Sequence, residues 1–226
     1  AVALFEPVED RFGGLTVNLD PAKLSQVHED DFMEYLNQQM QAWSNRGVRG
    51  IWLRVPKALA LLLAPALRLG FDFHHAQPGY VMLTAWLPKG SQCSLPPYPH
   101  HQVGVGGMVL DGSGSRILCI QERAGLTAGM KDFWKLPGGL VDASEDLAEA
   151  AVREVLEETG VKTVFECVAT IRESHAGPFG CTDLYAICVL RLDETHGQDL
   201  PEPSPQEKEI AAAEWRDLKD FLESKY

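Results

Sequence analysis

The chain has 226 residues, of which 45% are hydrophobic; this is enough for one large domain or two small ones and excludes extensive disorder. Its formal net charge is −12, and the sequence shows no basic cluster that could replace the counterions of a nucleic acid. The longest apolar segment, residues 58–69, is shorter than the roughly 18 residues of a membrane-spanning helix and carries Pro65 and Arg68, so we expect neither a membrane nor a nucleic-acid partner.

The first part of the chain alternates between extended and helical patterns. Extended stretches are predicted at residues 12–19, 50–55 and 80–87, and helices at about 21–44 and 58–69. Asp20 followed by Pro21 is typical of a helix start, and Gly70 of a helix end. This alternation predicts a small α/β domain over residues 1–92.

A segment rich in proline and serine, residues 93–100, predicts a linker to a second domain over residues 101–226. In that domain, strands are predicted at 104–111, 116–122, 162–174, 183–192 and from 211, a helix at about 146–159, and a short helix at the end. The first two strands are expected to pair around the turn at residues 112–114. Residues 133–142 are predicted to be extended and rich in turns.

Carboxylates crowd the helix predicted at residues 146–159. At about 100° per residue, Glu154, Glu157 and Glu158 fall within an arc of roughly 100° beside the apolar face. Like charges three and four residues apart repel each other, so the arc destabilises the isolated helix unless a cation neutralises it. Because Mg²⁺ prefers oxygen ligands and is often shared with substrate phosphates, the arc indicates phosphate chemistry. Taken alone, such a pattern also suits a solvated face whose glutamates favour the helix.

The apolar face of the same helix follows a 3.6-residue repeat formed by Leu147, Ala148, Ala151, Val152, Val155 and Leu156. Asp146 is predicted to cap the start of the helix with Glu149 as its capping-box partner, and Gly160 is predicted to end it in a left-handed conformation. Gly138 and Gly139 permit a tight turn beside the helix start, where backbone N–H groups favour an anion.

The stretch from Gly139 to Val161 resembles the Nudix box at every constrained position. The matching residues are Gly139, Glu145, Arg153, Glu154, Val155, Glu157, Glu158, Gly160 and Val161. The one departure from the family is Ser144, where members often have glycine, and it removes no ligand. The resemblance implies a Nudix α/β/α sandwich with a mixed sheet, and hydrolysis of a nucleoside diphosphate linked to another moiety.

The resemblance also implies the site residues. Glu154, Glu157 and Glu158 are the expected ligands of Mg²⁺, with Mn²⁺ as an alternative ion, and a metal-activated water would attack one phosphorus of a pyrophosphate. Glu157 is the first candidate for the general base, and Glu209 in the acidic loop before the last strand is the second, with a solvated loop charge as its alternative role. Arg153 is expected to pair with Glu157 one turn later.

Further roles follow from the same resemblance. Glu145 is expected to orient the loop or to reach a metal through water. Gly138, Gly139, Trp134 and Phe179 are the candidates for substrate binding, the two aromatic rings by stacking on a base, with packing inside the domain as their alternative role. The substrate is a nucleotide-derived small molecule, of the ADP-ribose or NADH class, although the motif arrays of dedicated NADH and coenzyme A hydrolases are absent.

Similarity beyond the box covers residues 47–55, 69–88, 100–110, 133–142 and 171–190. These stretches resemble a two-domain Nudix subgroup with a small, acetyltransferase-like N-terminal α/β domain. The acetyl-CoA phosphate loop is not evident here, so we expect this domain to serve binding or dimerisation, as in a homodimer. The alternative to an active hydrolase is a weakly active Nudix-fold binding or regulatory protein that acts through its N-terminal domain. Decapping of RNA is a third, weaker hypothesis because of the acidic balance.

The cysteines and the first residues bear on the location of the protein. Five cysteines without a C-x-x-C pair argue against a disulfide framework or a zinc site and favour a reducing compartment. The first ten residues lack the pattern of a secretory signal, although the chain does not begin with Met, so an upstream targeting segment could have been removed. We expect an intracellular protein of the cytoplasm, nucleus or mitochondrion.

Overall fold

In the computed structural model, the described residues are 3–123, 127–128, 130, 132–175, 177–194 and 199–224. The chain divides into two compact units, Ala1–Pro99 and His100–Tyr226. All five cysteines are free thiols. Within the described ranges, no helix is both long and apolar enough to cross a membrane.

The first unit is built on a five-stranded sheet. In chain order its strands are β1 (Val8–Glu9), β2 (Leu15–Asn18), β3 (Gly50–Pro56), β4 (Asp72–Gln77) and β5 (Tyr80–Trp86), and they lie in the order β1-β2-β3-β5-β4. Strands β2 and β3 are parallel, whereas the other pairs are antiparallel. Alternate residues of β3, Ile51, Leu53 and Val55, are buried in the core that the helices of this unit complete.

The helices of the first unit are shorter than the sequence predicts. The predicted helix at 21–44 is wrong in its continuity, because α1 (Pro21–Leu24) ends before α2 (Glu29–Asn45) begins. His28 caps the new start by accepting a hydrogen bond from the backbone N–H of Asp30 at 3.4 Å. The acidic residues of the first turn of α2 complement the positive end of the helix.

The apolar segment predicted as one helix at 58–69 is also divided. It forms a 3₁₀ helix (Lys57–Leu62) followed by α3 (Leu63–Arg68). Pro65 lies in the first turn of α3, where the missing N–H costs no intrahelical bond. Strand β4 was not among the predicted elements of this unit.

The second unit combines two sheets with one long helix. Its strands are β6 (His101–Val109), β7 (Arg116–Glu122), β8 (Thr163–Ser174), β9 (Thr182–Leu192) and β10 (Ile210–Asp217), and its helices are α4 (Leu147–Thr159), α5 (Leu218–Glu223) and a 3₁₀ turn (Pro178–Gly180). Strand β9 is parallel to β6 and antiparallel to β8, while β10 pairs with β7 antiparallel. The predicted α/β class with mixed pairing is confirmed.

The predicted pairing of the first two strands of this unit is confirmed beside the turn but does not continue along the strands. Strands β6 and β7 meet only at the bridge between Leu110 and Ile117 beside the turn. Beyond it, residues 135–141 lie between them: Lys135 pairs with Ile120 on β7, and the carbonyl of Gly139 accepts a hydrogen bond from Val105 of β6 at 2.9 Å. Residues 135–141 therefore lie beside β6 in the position where the sequence analysis predicted β7.

Helix α4 packs closely on the three-stranded sheet. Ala150, Ala151 and Val155 are fully buried, and a Cβ at Gly107 of β6 would overlap the side chain of Val155. The predicted apolar face is shifted by about one residue, because Leu156 is 42% exposed. The start and end of α4 match the prediction: Glu149 accepts a hydrogen bond from the backbone N–H of Asp146 at 3.3 Å, and Gly160 has φ 69°.

Candidate active site

Two glycines at the start of the box, Gly138 and Gly139, bring the chain backbone into contact with helix α4. A Cβ at Gly138 would overlap the carbonyl oxygen of Val105, and a Cβ at Gly139 would lie 2.7 Å from Oε1 of Glu154. The N–H of Gly138 donates a hydrogen bond to Oε2 of Glu158 at 2.7 Å. Only residues without a side chain let this segment lie on β6 and face two carboxylates at once.

Arg153 ties the loop before the helix to the helix itself. Its Nε and Nη2 donate to the two carboxylate oxygens of Glu145 at 2.7 and 2.9 Å, and Nη2 also donates to the carbonyl of Leu140 at 3.2 Å. The bonds from Arg153 lower the pKa of Glu145 to about 2. Glu145 in turn accepts from the backbone N–H of Asp142 at 2.9 Å. Glu145 thus orients the loop, one of the two roles expected for it.

The partner expected for Arg153, Glu157, is its weakest contact. Nη1 of Arg153 lies 2.7 Å from Oε1 of Glu154 but 3.4 Å from Oε2 of Glu157. The bidentate pairing with Glu145 has better geometry, because a guanidinium fork matches both oxygens of one carboxylate. Sequence spacing alone favours the (i, i+4) partner and cannot anticipate the fold-back of the loop.

The three glutamates of the predicted arc have different surroundings. The side chain of Glu154 is only 14% exposed, whereas that of Glu157 is 54% exposed. Burial raises the pKa of Glu158 to about 7, although the hydrogen bond from Gly138 opposes this rise. Glu154 and Glu158 therefore form an inner pair against the glycines, and Glu157 lies on the outer side.

The donor set of the inner pair fits a hard divalent cation. Over the described ranges, no three His, Cys, Asp or Glu side chains converge into a preformed metal cage. The site contains two carboxylates, Glu154 and Glu158, beside the backbone of Gly138 and Gly139, where a Cβ would not fit. Glu157 directly precedes Glu158 on the helix. Mg²⁺ is commonly held by one or two carboxylates while keeping waters and sharing substrate phosphates, so these residues suit it.

A cavity of about 460 Å³ adjoins the glycines, and Gly138, Gly139, Lys135, Glu122 and Tyr185 are among its lining residues. Lys135 forms an ion pair with Glu122, whose carboxylate also accepts from Oγ1 of Thr127 at 2.5 Å. Burial, with the nearby charge of Glu158, raises the pKa of Tyr185 to about 12. The volume is in the range of small-molecule sites.

Three of these lining residues were missed by the sequence interpretation. Glu122, Lys135 and Tyr185 lie on β7, on the segment before the glycines and on β9, and strand order alone brings them together. Lys135 directly precedes the Leu-Pro-Gly-Gly run, which is the one local signal that could have marked it. No local pattern marks Glu122 or Tyr185.

Comparison with known proteins decides the family. Residues 100–226 match the family model of the NUDIX domain, and residues 5–87 match that of the Nudix hydrolase domain. The chain belongs to the Nudix hydrolase family.

Its relatives are animal and plant Nudix proteins. The chain is 40% identical over 220 residues to human "Nucleoside diphosphate-linked moiety X motif 6", covering 95% of this chain and 66% of the relative. It is 39% identical to the mouse protein of that name, with 96% of this chain and 67% of the relative covered. These are the animal Nudix protein encoded antisense to basic fibroblast growth factor, which the sequence resembles. The chain spans about two thirds of the length of both relatives.

A plant relative and a bacterial structure complete the comparison. Nudix hydrolase 2 of Arabidopsis thaliana is 34% identical over 226 residues, covering 98% of this chain and 75% of the relative. The crystal structure of a MutT Nudix hydrolase from Burkholderia pseudomallei matches with 24% identity and a TM-score of 0.43, over 52% of this chain and 84% of that one.

The remaining predicted site residues, Glu209, Trp134 and Phe179, lie outside helix α4. Glu209 is exposed in a turn, and its backbone carbonyl accepts a hydrogen bond from the N–H of Arg123 at 2.7 Å. The same loop contacts α4 through a hydrogen bond from the N–H of Gln206 to the carbonyl of Glu158 at 3.2 Å. The ring of Trp134 is half-buried under the guanidinium of Arg216, at 4.4 Å.

Phe179 differs from Trp134 in being wholly solvent-exposed. It has a left-handed backbone, φ 57°, in the 3₁₀ turn whose Pro178 lines the cavity. A fully exposed ring gains nothing from packing, so the loop-packing alternative does not account for Phe179. Its role in binding a base stays a prediction, as does that of Trp134.

Proposed function

We propose that the second unit is a pyrophosphohydrolase that cleaves the pyrophosphate of a nucleoside diphosphate linked to another moiety, of the ADP-ribose or NADH class, with Mg²⁺ as cofactor. The observation that carries this proposal is the inner pair, Glu154 and Glu158, set against the Gly138–Gly139 backbone beside a cavity of about 460 Å³. The charge of Glu154 is one cause of the raised pKa of Glu158, and a divalent cation would offset this repulsion. A cation that suits oxygen donors also binds phosphates.

The chain supplies three functions around the bound substrate. Gly138 and Gly139 bring the backbone against Glu154 and Glu158 at the edge of the cavity, and Lys135, which is paired with Glu122, places a positive charge in the same cavity. Arg153 and Glu145 hold the loop that carries the glycines, so the inner carboxylates keep their positions. A divalent cation held by Glu154, Glu157 and Glu158 would offset charge on the phosphate oxygens and make a water more acidic.

Glu157 is the residue best placed to accept the proton of the attacking water. Its carboxylate is 54% exposed and its hydrogen bond from Arg153 is long, 3.4 Å, so it keeps free lone pairs. Glu154 and Glu158 are both engaged by shorter hydrogen bonds. Glu209 remains the second candidate, because its loop is bonded to the end of α4.

A substrate screen tests the proposal. Purified protein is incubated with ADP-ribose, NADH, coenzyme A, diadenosine polyphosphates and capped RNA, with Mg²⁺, with Mn²⁺ and with chelator, and the products are separated by chromatography. We expect metal-dependent release of a nucleoside monophosphate from ADP-ribose or NADH. The Glu157→Gln/Glu158→Gln variant should lose this activity, while Glu149→Gln on the same helix should keep it, because glutamine still serves a capping box.

Two outcomes would contradict the proposal. Equal rates of hydrolysis with metal and with chelator would show that the reaction needs no cation. Metal-dependent binding of ADP-ribose or NADH without turnover would favour the regulatory alternative instead.

A further inference from the structure

The first unit contains a second cavity, of about 660 Å³, which the proposed hydrolysis does not use. Its floor is the face of the sheet opposite the core, where Trp52 of β3 and Trp86 of β5 project. Its walls are the loop at residues 10–14 and the segment at residues 94–96. The volume lies within the usual range of small-molecule sites, and the lining joins aromatic rings to a few polar groups, as such sites do.

Two arginines line this cavity, and each lies against an aromatic ring. The guanidinium of Arg49 is 4.8 Å from the centroid of Trp86, and that of Arg11 is 4.8 Å from the centroid of Phe12. Among the residues with described positions, no carboxylate lies within ion-pairing distance of either guanidinium, although Arg46 nearby pairs with Glu9 at 3.9 Å. Within the described part of the chain, the cavity therefore presents two guanidinium groups that form no ion pair, beside the single carboxylate of Asp10.

The donors of Arg49 are held in place but mostly unused. The guanidinium lies over the ring of Trp86, and its one side-chain hydrogen bond to a described residue is the long bond from Nη2 to Oγ of Ser94 at 3.4 Å. A planar guanidinium with open N–H groups matches the oxygens of a phosphate in a bidentate way. This geometry favours an anionic ligand.

Local hydrogen bonds build the walls of the cavity without any ligand. Oδ1 of Asp10 accepts from the backbone N–H groups of Phe12 at 2.7 Å and Gly14 at 2.9 Å, which shapes the loop that carries Arg11. Nε1 of Trp86 donates to Oγ of Ser91 at 3.1 Å, three residues before the segment that forms the opposite wall. A Cβ at Gly50 would overlap Leu95, so the wall lies directly on the sheet.

Asp10 adds one requirement to the ligand. Its carboxylate also lines the cavity, and it would repel a phosphate placed beside it. The anionic group must therefore lie toward the arginines, and a hydrogen-bond donor, such as a sugar hydroxyl, must lie toward Asp10. A ligand with a planar ring for the tryptophans, a sugar hydroxyl for Asp10 and a phosphate for the arginines is a nucleotide.

We propose that this cavity of the first unit binds a nucleoside monophosphate, with its base against Trp52 and Trp86 and its phosphate on Arg49 and Arg11. Aromatic faces bind any base by stacking, and the guanidinium groups of the two arginines select the phosphate. No metal takes part, and no residue of the proposed hydrolytic site is involved.

Calorimetric titration of the whole chain with AMP, in the presence of chelator, tests this proposal. We expect AMP to bind, and Arg49→Ala to weaken its affinity at least about tenfold, as the loss of a charge-assisted phosphate contact does. Arg11→Ala should act in the same direction. Arg46→Ala is the matched control: its side chain is exposed and lies outside the lining, so affinity for AMP should not change.

Separate titrations with adenosine and with inorganic phosphate divide the contributions of ring and charge. Both should bind more weakly than AMP, and Trp52→Leu should reduce the affinity for AMP and for adenosine but not for phosphate. AMP affinity that is unchanged in both arginine variants would overturn the proposal, and so would an absence of AMP binding to the wild type. Adenosine or phosphate binding as tightly as AMP would equally overturn it.

Discussion

At the scale of single residues, the neighbours of each glutamate in the arc decide what it can do. Glu154 and Glu158 are enclosed by Arg153 and by the backbone of Gly138, whereas Glu157 is largely exposed. Helical periodicity predicts that the three share a face, but it cannot tell which of them the loop covers, because the loop closes over the helix through contacts distant in sequence. Burial thus separates residues that the sequence pattern treats alike.

Substitution of the two candidate bases should have different effects. A metal ligand that is lost weakens metal affinity, while a base that is lost lowers turnover with metal binding kept. We expect Glu157→Gln to weaken Mg²⁺ affinity as well as turnover, and Glu209→Gln to lower mainly turnover, by roughly 10² to 10⁴. Glu207→Gln, in the same exposed turn, is the control and should have little effect. If Glu209→Gln keeps near wild-type turnover, a carboxylate of the Nudix box must accept the proton of the attacking water instead.

Asp111 provides a prediction about pH and stability. The backbone N–H of Arg116 lowers the pKa of this carboxyl from 3.8 to about 2, with help from Ser113 and Ser115. Because the folded-state pKa is depressed, its stabilisation is complete above about pH 4 and is lost as the pH falls toward 2. In urea denaturation, Asp111→Asn should be less stable than wild type near neutral pH, and the gap should narrow between pH 4 and 2. A gap that stays constant over this interval would contradict the assignment.

At the scale of elements, local signals account for the helix, and long-range contacts account for what was missed. Both ends of α4 were predictable because Asp146, Glu149 and Gly160 act on backbone groups within a turn of themselves. The partner of β6 is β9, with Val105 opposite Ala186, and no local pattern encodes that pairing. The Gly138–Gly139 segment was predicted as a turn but not as the backbone that separates β6 from β7.

The diglycine segment should not accept side chains. In Gly138→Ala the new Cβ would overlap the carbonyl of Val105, so the segment must lift from β6 and the hydrogen bond to Glu158 is lost. We expect a lower melting temperature and a loss of hydrolysis. Gly112→Ala is the matched control, because no atom lies within 4 Å of its added Cβ. Equal melting temperatures and equal activity for the two variants would show that the close approach is not required.

At the scale of the whole molecule, each unit has its own buried core. The core of the first unit includes Phe32 and Leu53, and that of the second includes Val105 and Val155. The predicted linker at 93–100, the binding or dimerisation role of the first unit and the intracellular location stay predictions. The two cores give a physical reason to expect that the units fold independently.

Cleavage near Tyr98 should therefore yield two soluble, folded pieces. We expect the piece from residue 100 to 226 to keep the hydrolase activity, and the first piece to be the one that dimerises if the chain forms a homodimer. Circular dichroism, sedimentation and activity of the separated pieces check this. A second piece that unfolds alone would show that its core depends on the first unit.

The measurement that tests the central claim most directly is the Mg²⁺ dependence of thermal unfolding, because it needs no knowledge of the substrate. If Glu154, Glu157 and Glu158 bind the cation, Mg²⁺ at about 100 times its dissociation constant should stabilise the folded protein by about 2.7 kcal/mol. The Glu157→Gln/Glu158→Gln variant should show no such gain, and Glu149→Gln should behave as wild type. Equal stabilisation of wild type and the double variant by Mg²⁺ would contradict the site.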